Sequence, residues 1–212
     1  MMVNRRLFMA FVAAFGGTTA FWPNLSRAAG DGVDLEVGAR DLIQTLADEA
    51  LESLTDKDIQ TVDRRQKFRE LMHRYFAFDA IAKWVLGRYW RRASAKQKEE
   101  YLALFEKLMV ITYADRFEQY AGEKLVIEKT EIRGEKDALV HSLLERPNGQ
   151  KPIDVIWRVR PKDTSFKIVD VMVEGLSMGI TQQKEFSSVI RQNNNNVEGL
   201  LSELRKRVNV DT

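Results

Sequence analysis

The chain has no cysteine, two histidines and four prolines in 212 residues. Without thiols, disulfide scaffolds, thiolate metal sites, cysteine nucleophiles and cysteine-linked lipid anchors are excluded. His73 and His141 are too few and too far apart to suggest a metal site. Neither sign of charge dominates: 33 basic residues face 31 acidic ones, a formal net charge of +2. Long apolar runs are scarce too: one run falls short of the roughly 20 residues of a membrane span, and no second run approaches that length. With 44% hydrophobic and 30% charged residues, the chain is too apolar and too evenly charged to be disordered. Its length suits a domain with a core of its own.

What is present begins with an address. Asn4-Arg5-Arg6-Leu7-Phe8 opens the chain, and an apolar run of 16 residues follows from Leu7 to Trp22, closed by Pro23. Ser26-Arg27-Ala28 puts small residues at the two positions a signal peptidase reads. A basic start, a short apolar middle and a small-residue end predict a cleaved signal peptide over residues 1–28. The arginine pair with Phe8 resembles a twin-arginine export signal. Asn4 stands where Ser or Thr is usual there, and Ala10 where Lys is usual. An ordinary secretory signal with a chance arginine pair, or a retained anchor, is the alternative. Either export signal carries residues 29–212 across a bacterial cytoplasmic membrane as one domain. The removed segment holds Arg5, Arg6 and Arg27 and no acid, so 30 basic residues then face 31 acidic ones, a net charge of −1. The mild basicity belongs to the leader.

The remaining chain reads as helices, then a sheet, then helices. Leu42, Ile43, Leu46, Ala50, Leu51 and Leu54 share one helical stripe. A second helix is predicted over 57–75, with Phe68, Leu71 and Met72 on its apolar side, and a third over 79–90. Ser94 and Gln97 form a capping box for a fourth helix reaching Tyr120. That helix is apolar around a wide arc, as expected of one covered on two sides. From Leu125 the period becomes 2, predicting strands at 124–132, 136–145, 151–160 and 165–173. The short turns between them make the sheet antiparallel. Val155, Trp157 and Val159 share one face, and with turns centred as read, Val169, Val171 and Val173 join it. Ala138, Val140 and Ser142 join from the second strand, where small side chains would leave space. Gly175 is expected to end the sheet, before helices around Phe186 and around Leu200–Val208.

Catalytic patterns are missing. Neither histidine has a motif around it, and no phosphate loop, His-Glu-x-x-His or Gly-x-Ser-x-Gly is present. The unusual content is aromatic: Trp84, Tyr89, Trp90, Phe105, Tyr113, Phe117 and Trp157 lie on helices and strands expected to face each other. One reading is an ordinary core. The other is an apolar cavity for a lipid, lined by Trp84, Tyr89, Trp90, Phe105, Leu108, Met109, Tyr113, Val140, Val155, Trp157, Val169, Val171 and Val173. Each methylene hidden from water is worth about 0.8 kcal/mol, so a lipid with roughly 30 methylenes faces on the order of 24 kcal/mol in water. A soluble carrier must hide both chains. A bilayer hides them equally well, so such a carrier needs membrane-bound partners to load and unload it. Arg88, Arg91 and Arg92 flank the Tyr89-Trp90 pair. They either meet a lipid phosphate or a partner, or form a solvated basic helix end.

The stretch Phe78-Asp79-Ala80-Ile81-Ala82-Lys83-Trp84-Val85-Leu86-Gly87-Arg88-Tyr89-Trp90-Arg91 resembles the MlaC (toluene-tolerance) family of phospholipid-binding proteins. The Ser94-x-x-Gln97 and Tyr101-x-x-x-Phe105 spacings, Tyr113 and Tyr120-Ala121-Gly122-Glu123 continue the likeness. A second signature is Asp170-Val171-x-Val173-Glu174-Gly175-Leu176-Ser177, followed by Phe186. The resemblance implies an α+β fold in which a twisted four-stranded antiparallel sheet packs against a helical layer around an apolar lipid pocket. It implies a non-enzymatic periplasmic carrier that shuttles glycerophospholipid between an outer-membrane lipoprotein complex and an inner-membrane ABC transporter complex, maintaining outer-membrane lipid asymmetry. A monomer is expected, with no metal and no cofactor besides bound phospholipid, and with no nucleic-acid partner, since that would need a basic stripe and an overall basic mature chain. Alternatives are a hopanoid-associated relative, an enzyme acting on a hydrophobic substrate, and an interaction protein with a filled core. On the carrier reading, Val171→Asp or Trp157→Asp buries an unpartnered charge and reduces lipid occupancy or folding. Unchanged lipid occupancy in both variants, measured on purified protein, would show that the assumed strand register is wrong.

Overall fold

The computed structural model describes residues 34–210, and the proposed leader lies outside them. Helix α1 spans Leu35–Leu54, started by the Asp34 carboxylate, which accepts from the Glu36 amide at 2.9 Å. Helix α2 (Thr61–Tyr75) begins four residues later than its sequence pattern suggested. Helix α3 (Phe78–Leu86) stops at Gly87, whose φ of 59° a side chain would resist. A 3-10 turn over Gly87–Arg91 leads to α4 (Ala95–Tyr113). The Ser94–Gln97 capping box is formed on both sides, at 3.2 and 3.1 Å. The α-helix then tightens into a 3-10 segment over Ala114–Gln119, so the long fourth helix expected from the sequence is two pieces.

The sheet is antiparallel, in the order of its strands: β1 (Lys124–Arg133), β2 (Asp137–Glu145), β3 (Ile153–Lys162), β4 (Ser165–Val173) and β5 (Leu176–Ser177). It therefore has five strands, one more than expected. Gly175 does not end it. Glu174 (φ 49°) and Gly175 (φ 77°) make a two-residue hairpin turn, returning the chain so that Leu176 pairs Val173. Strand β3 also runs on through Pro161. Its pairing with β2 ends at Val159, so the missing proline N–H leaves no gap in that ladder.

One register reading is corrected. Trp157 pairs Val171 and Val155 pairs Val173, as the alternation suggested. Between Asp170 and Ile168, however, Val169 has no partner opposite it, and Ile168 faces Val159 instead. This bulge turns Val169 off the inner face. It is invisible to a period-2 reading, which carries one phase along the whole strand.

Two apolar cores result. One lies among helices, where Tyr101, Phe105 and Phe186 meet Leu200, Leu201 and Leu204 of α6 (Val197–Val210) and Ile190 of α5 (Met178–Gln192). The other joins Ala39 and Ile43 of α1 to Ala138, Val140, Val159 and Ile168 of the sheet. Ala138 and Val140 of β2 therefore pack with α1, and Ser142 meets the Trp157 indole. Helix α2 gives Leu71 to the sheet core and Met72 to the helical core, while Phe68 and Phe76 pack against both. Its exit is tied to β4 by the Ala77 amide donating to the Ile168 carbonyl at 2.9 Å. Among the described residues no helix is long and apolar enough to cross a membrane.

Tyr101 is fully buried, and its hydroxyl donates to the Ala82 carbonyl at 2.9 Å, joining α4 to α3. Burial pushes this hydroxyl far above the ordinary tyrosine range. The unfolded chain releases that proton near pH 10 and the folded one retains it. The unfolded state thus binds fewer protons above pH 10, and stability falls as pH rises there. Tyr101→Phe is expected to cost about 1–2 kcal/mol in urea unfolding at pH 7, and to flatten the loss of stability above about pH 10.

Candidate functional site

Where the two cores part, a cavity of about 430 Å³ remains. Its walls come from most layers of the fold. Phe68, Met72 and Phe76 come from α2 and its exit, and Phe78, Ile81 and Val85 from α3. Helix α4 adds Phe105, Met109 and Tyr113, and the 3-10 segment after it adds Arg116 and Phe117. Trp157, Val171 and Val173 close the sheet side, and Met178, Gly179 and Gln182 of α5 stand at one edge. Among the described residues of the lining, Arg116, Asp170 and Gln182 bring a polar or charged side-chain terminus, besides the Tyr113 hydroxyl and the Trp157 indole.

The polar groups hold the walls in place. Asp170 ties the sheet to the start of α5. One of its oxygens accepts from the Ser177 hydroxyl at 2.6 Å, and the other from the Gly179 amide at 3.2 Å and the Val171 amide at 3.0 Å. Ser177 also caps α5 by accepting from the Ile180 amide at 3.0 Å. The second sequence signature is thus a polar hinge-pin beside the cavity. Gly179 is needed because a side chain there would overlap the Trp84 ring. The Trp157 indole N–H donates to Ser142 Oγ at 3.0 Å, and Ser142 donates to the Val155 carbonyl at 2.9 Å, which fixes the large ring. Opposite, Arg65 grips Asp115 with two bonds of 3.0 and 2.6 Å, clamping the 3-10 segment to α2. That guanidinium holds the Asp115 carboxyl below its usual range. Burial raises the Tyr113 hydroxyl, and the nearby charge of Arg116 draws it partly back.

Of the residues singled out from the sequence, Phe105, Met109, Tyr113, Trp157, Val171 and Val173 line the cavity, as does Phe117. The others do not. Tyr89 and Leu108 are spent in the helical core and Val140 in the sheet core. Val155 is buried on the sheet opposite Val173 without itself reaching the cavity, and the β4 bulge removes Val169. Trp84 is 42% exposed and rests against Gly179, with its carbonyl held by Gln183 Nε2 at 2.6 Å. Trp90 packs on Tyr101 between the ammonium groups of Lys83 and Lys98, each about 5.5 Å from its ring. Arg88 and Arg92 lie over the Tyr89 ring at 5.0 and 6.0 Å, and Arg91 is exposed; none of the three lines the cavity. The charge that does, Arg116, was missed, because one arginine among the charged residues of a helix end has no local signal. Phe68 and Met72 were visible as an apolar stripe, but a stripe does not tell core from cavity. His73 meets Glu106 at 2.8 Å and His141 lies 3.6 Å from Glu131, both outside the lining.

A family model described as the MlaC protein matches residues 44–206. The chain belongs to the MlaC family. A stretch of 97 residues is 30% identical to the intermembrane phospholipid transport system binding protein MlaC of Haemophilus influenzae. That match covers 44% of this chain and 45% of the relative, so the chain spans less than half the length of the curated MlaC it matches. The fold is shared with a phospholipid-binding protein of Ralstonia solanacearum, solved in complex with a phospholipid. The TM-score is 0.73 at 20% identity, over 82% of this chain and 98% of that one. In this MlaC-family chain the Asp170–Ser177 pair carries both a cap and a strand–helix tie. Ser177→Ala is expected to cost about 1–2 kcal/mol in thermal or urea unfolding. A loss below the error of that measurement would show that the pair is replaceable by water.

Proposed function

We propose that this protein is an exported, non-enzymatic carrier that holds a glycerophospholipid by its acyl chains in the cavity between helices and sheet. The observation that carries this reading is the cavity itself, lined by aromatic and aliphatic side chains from α2, α3, α4, β3, β4 and α5. Hiding apolar chains there offsets the cost of leaving a bilayer, about 0.8 kcal/mol per methylene. Because the gain in the cavity matches that in the membrane, loading and unloading fall to membrane-bound partners. On this reading an outer-membrane lipoprotein complex and an inner-membrane ABC transporter complex exchange lipid through this protein in the periplasm. Residues 1–28 supply the twin-arginine-like export signal, and the working carrier is a monomer with its lipid as sole bound group. The phospholipid named for the Haemophilus influenzae and Ralstonia solanacearum proteins supports the choice of cargo.

The test is extraction of the purified exported protein with organic solvent and mass spectrometry of the extract. A glycerophospholipid at close to one per chain is expected, together with uptake of labelled phospholipid from vesicles. Recovery of no lipid and no uptake would sink the proposal, and a polycyclic triterpenoid in its place would reassign the cargo.

A further inference from the structure

We propose that Arg116 is the anion subsite of this cavity and binds the phosphate of the bound lipid. The inference rests on the carrier reading above and adds the group that would hold the polar end. Of the other polar groups in the lining, Asp170, Gln182 and the Trp157 indole are engaged, and the Tyr113 hydroxyl brings no positive charge. Both oxygens of Asp170 accept bonds from Ser177, Gly179 and Val171. Gln182 donates to Glu185 at 3.0 Å. The Trp157 indole is bonded to Ser142. Among the described residues Arg116 uses only Nε, which donates to the Thr112 carbonyl one turn back at 3.2 Å. Its two terminal nitrogens carry the donor pair that matches two phosphate oxygens.

Its surroundings leave that charge available. The neighbouring acid, Asp115, is held by Arg65 on the α2 side, and Glu118 lies 3.7 Å from Arg64. The Arg116 guanidinium rests 5.6 Å from the centre of the Tyr113 ring, and both residues line the cavity. The tyrosine ring therefore marks the step from apolar wall to charged rim. Arg116 is exposed, while Phe105 and Met72, in the same lining, are buried. A lipid whose chains fill the buried part must leave its phosphate in water, at the rim where this arginine stands. Arg88, Arg91 and Arg92, the cluster suggested by sequence, lie outside the lining, and two of them are stacked on Tyr89.

The experiment offers the delipidated full chain phosphatidylcholine vesicles doped with diacylglycerol of the same chains. The lipid recovered with the protein is then quantified. Wild type is expected to favour the phosphate-bearing lipid, and Arg116→Gln to lower the ratio of phospholipid to diacylglycerol by about tenfold. Arg116→Lys is expected to keep part of the preference. The melting temperature stays unchanged in Arg116→Gln, which a merely structural role would not allow. The same ratio in all three proteins would overturn the assignment. So would a fall in Arg91→Gln rather than in Arg116→Gln, or competition by inorganic phosphate as strong as that of the lipid. Uptake of neither lipid by wild type would instead remove the carrier reading on which the subsite depends.

Discussion

Phe68, Met72, Phe105 and Met109 on the helices and Trp157, Val171 and Val173 on the sheet are apolar surfaces that face one another without closing. Apolar area gains about 25 cal/mol per Å² when it is covered, so these walls would collapse together if the chain were free to let them. Each wall is committed elsewhere. The helical wall is backed by Tyr101, Phe186 and α6, and on the sheet α1 covers the neighbouring part of the same face through Val140 and Val159. The two cores are each well packed, and the cavity is what their separate packing leaves between them. Position and size of the cavity, and through them the proposed cargo, follow from that division.

Keeping two cores apart also requires keeping them in one piece. Helix α2 does this with apolar side chains, since Leu71 and Met72 point into different cores and Phe76 touches both. Polar ties complete the frame at its edges. Asp170 fastens β4 to α5, and Arg65 fastens the end of the α4 wall to α2. Such ties suit the rim of a cavity. A charged pair has a direction and a length, so it fixes a spacing that apolar contact alone would shorten.

The wide apolar arc of α4 illustrates how one sequence feature serves two purposes. Its buried positions, Tyr101, Phe105 and Leu108, belong to the helical core. Met109 and Tyr113, half-buried, face the cavity with Phe105 at the boundary. Both sets look alike in sequence, because core and cavity lining demand the same apolar chemistry.

Periodicity, capping residues and turn residues determined by themselves the α+β order, the antiparallel sheet and the positions of most helices. These depend on interactions within a few residues, such as the Ser94–Gln97 box. The two family signatures were equally readable, and the fold gives one of them a physical role in the Asp170–Ser177 pin. Tertiary structure decided the rest. The Val169 bulge depends on which residue of β3 lies opposite. Whether Val140 meets empty space or α1, whether Tyr89 meets a lipid or Phe186's core, and which arginine stands at the rim depend on elements distant in the chain. Local sequence sets what a side chain prefers to touch; only the packing of remote segments sets whether a neighbour is there to touch it.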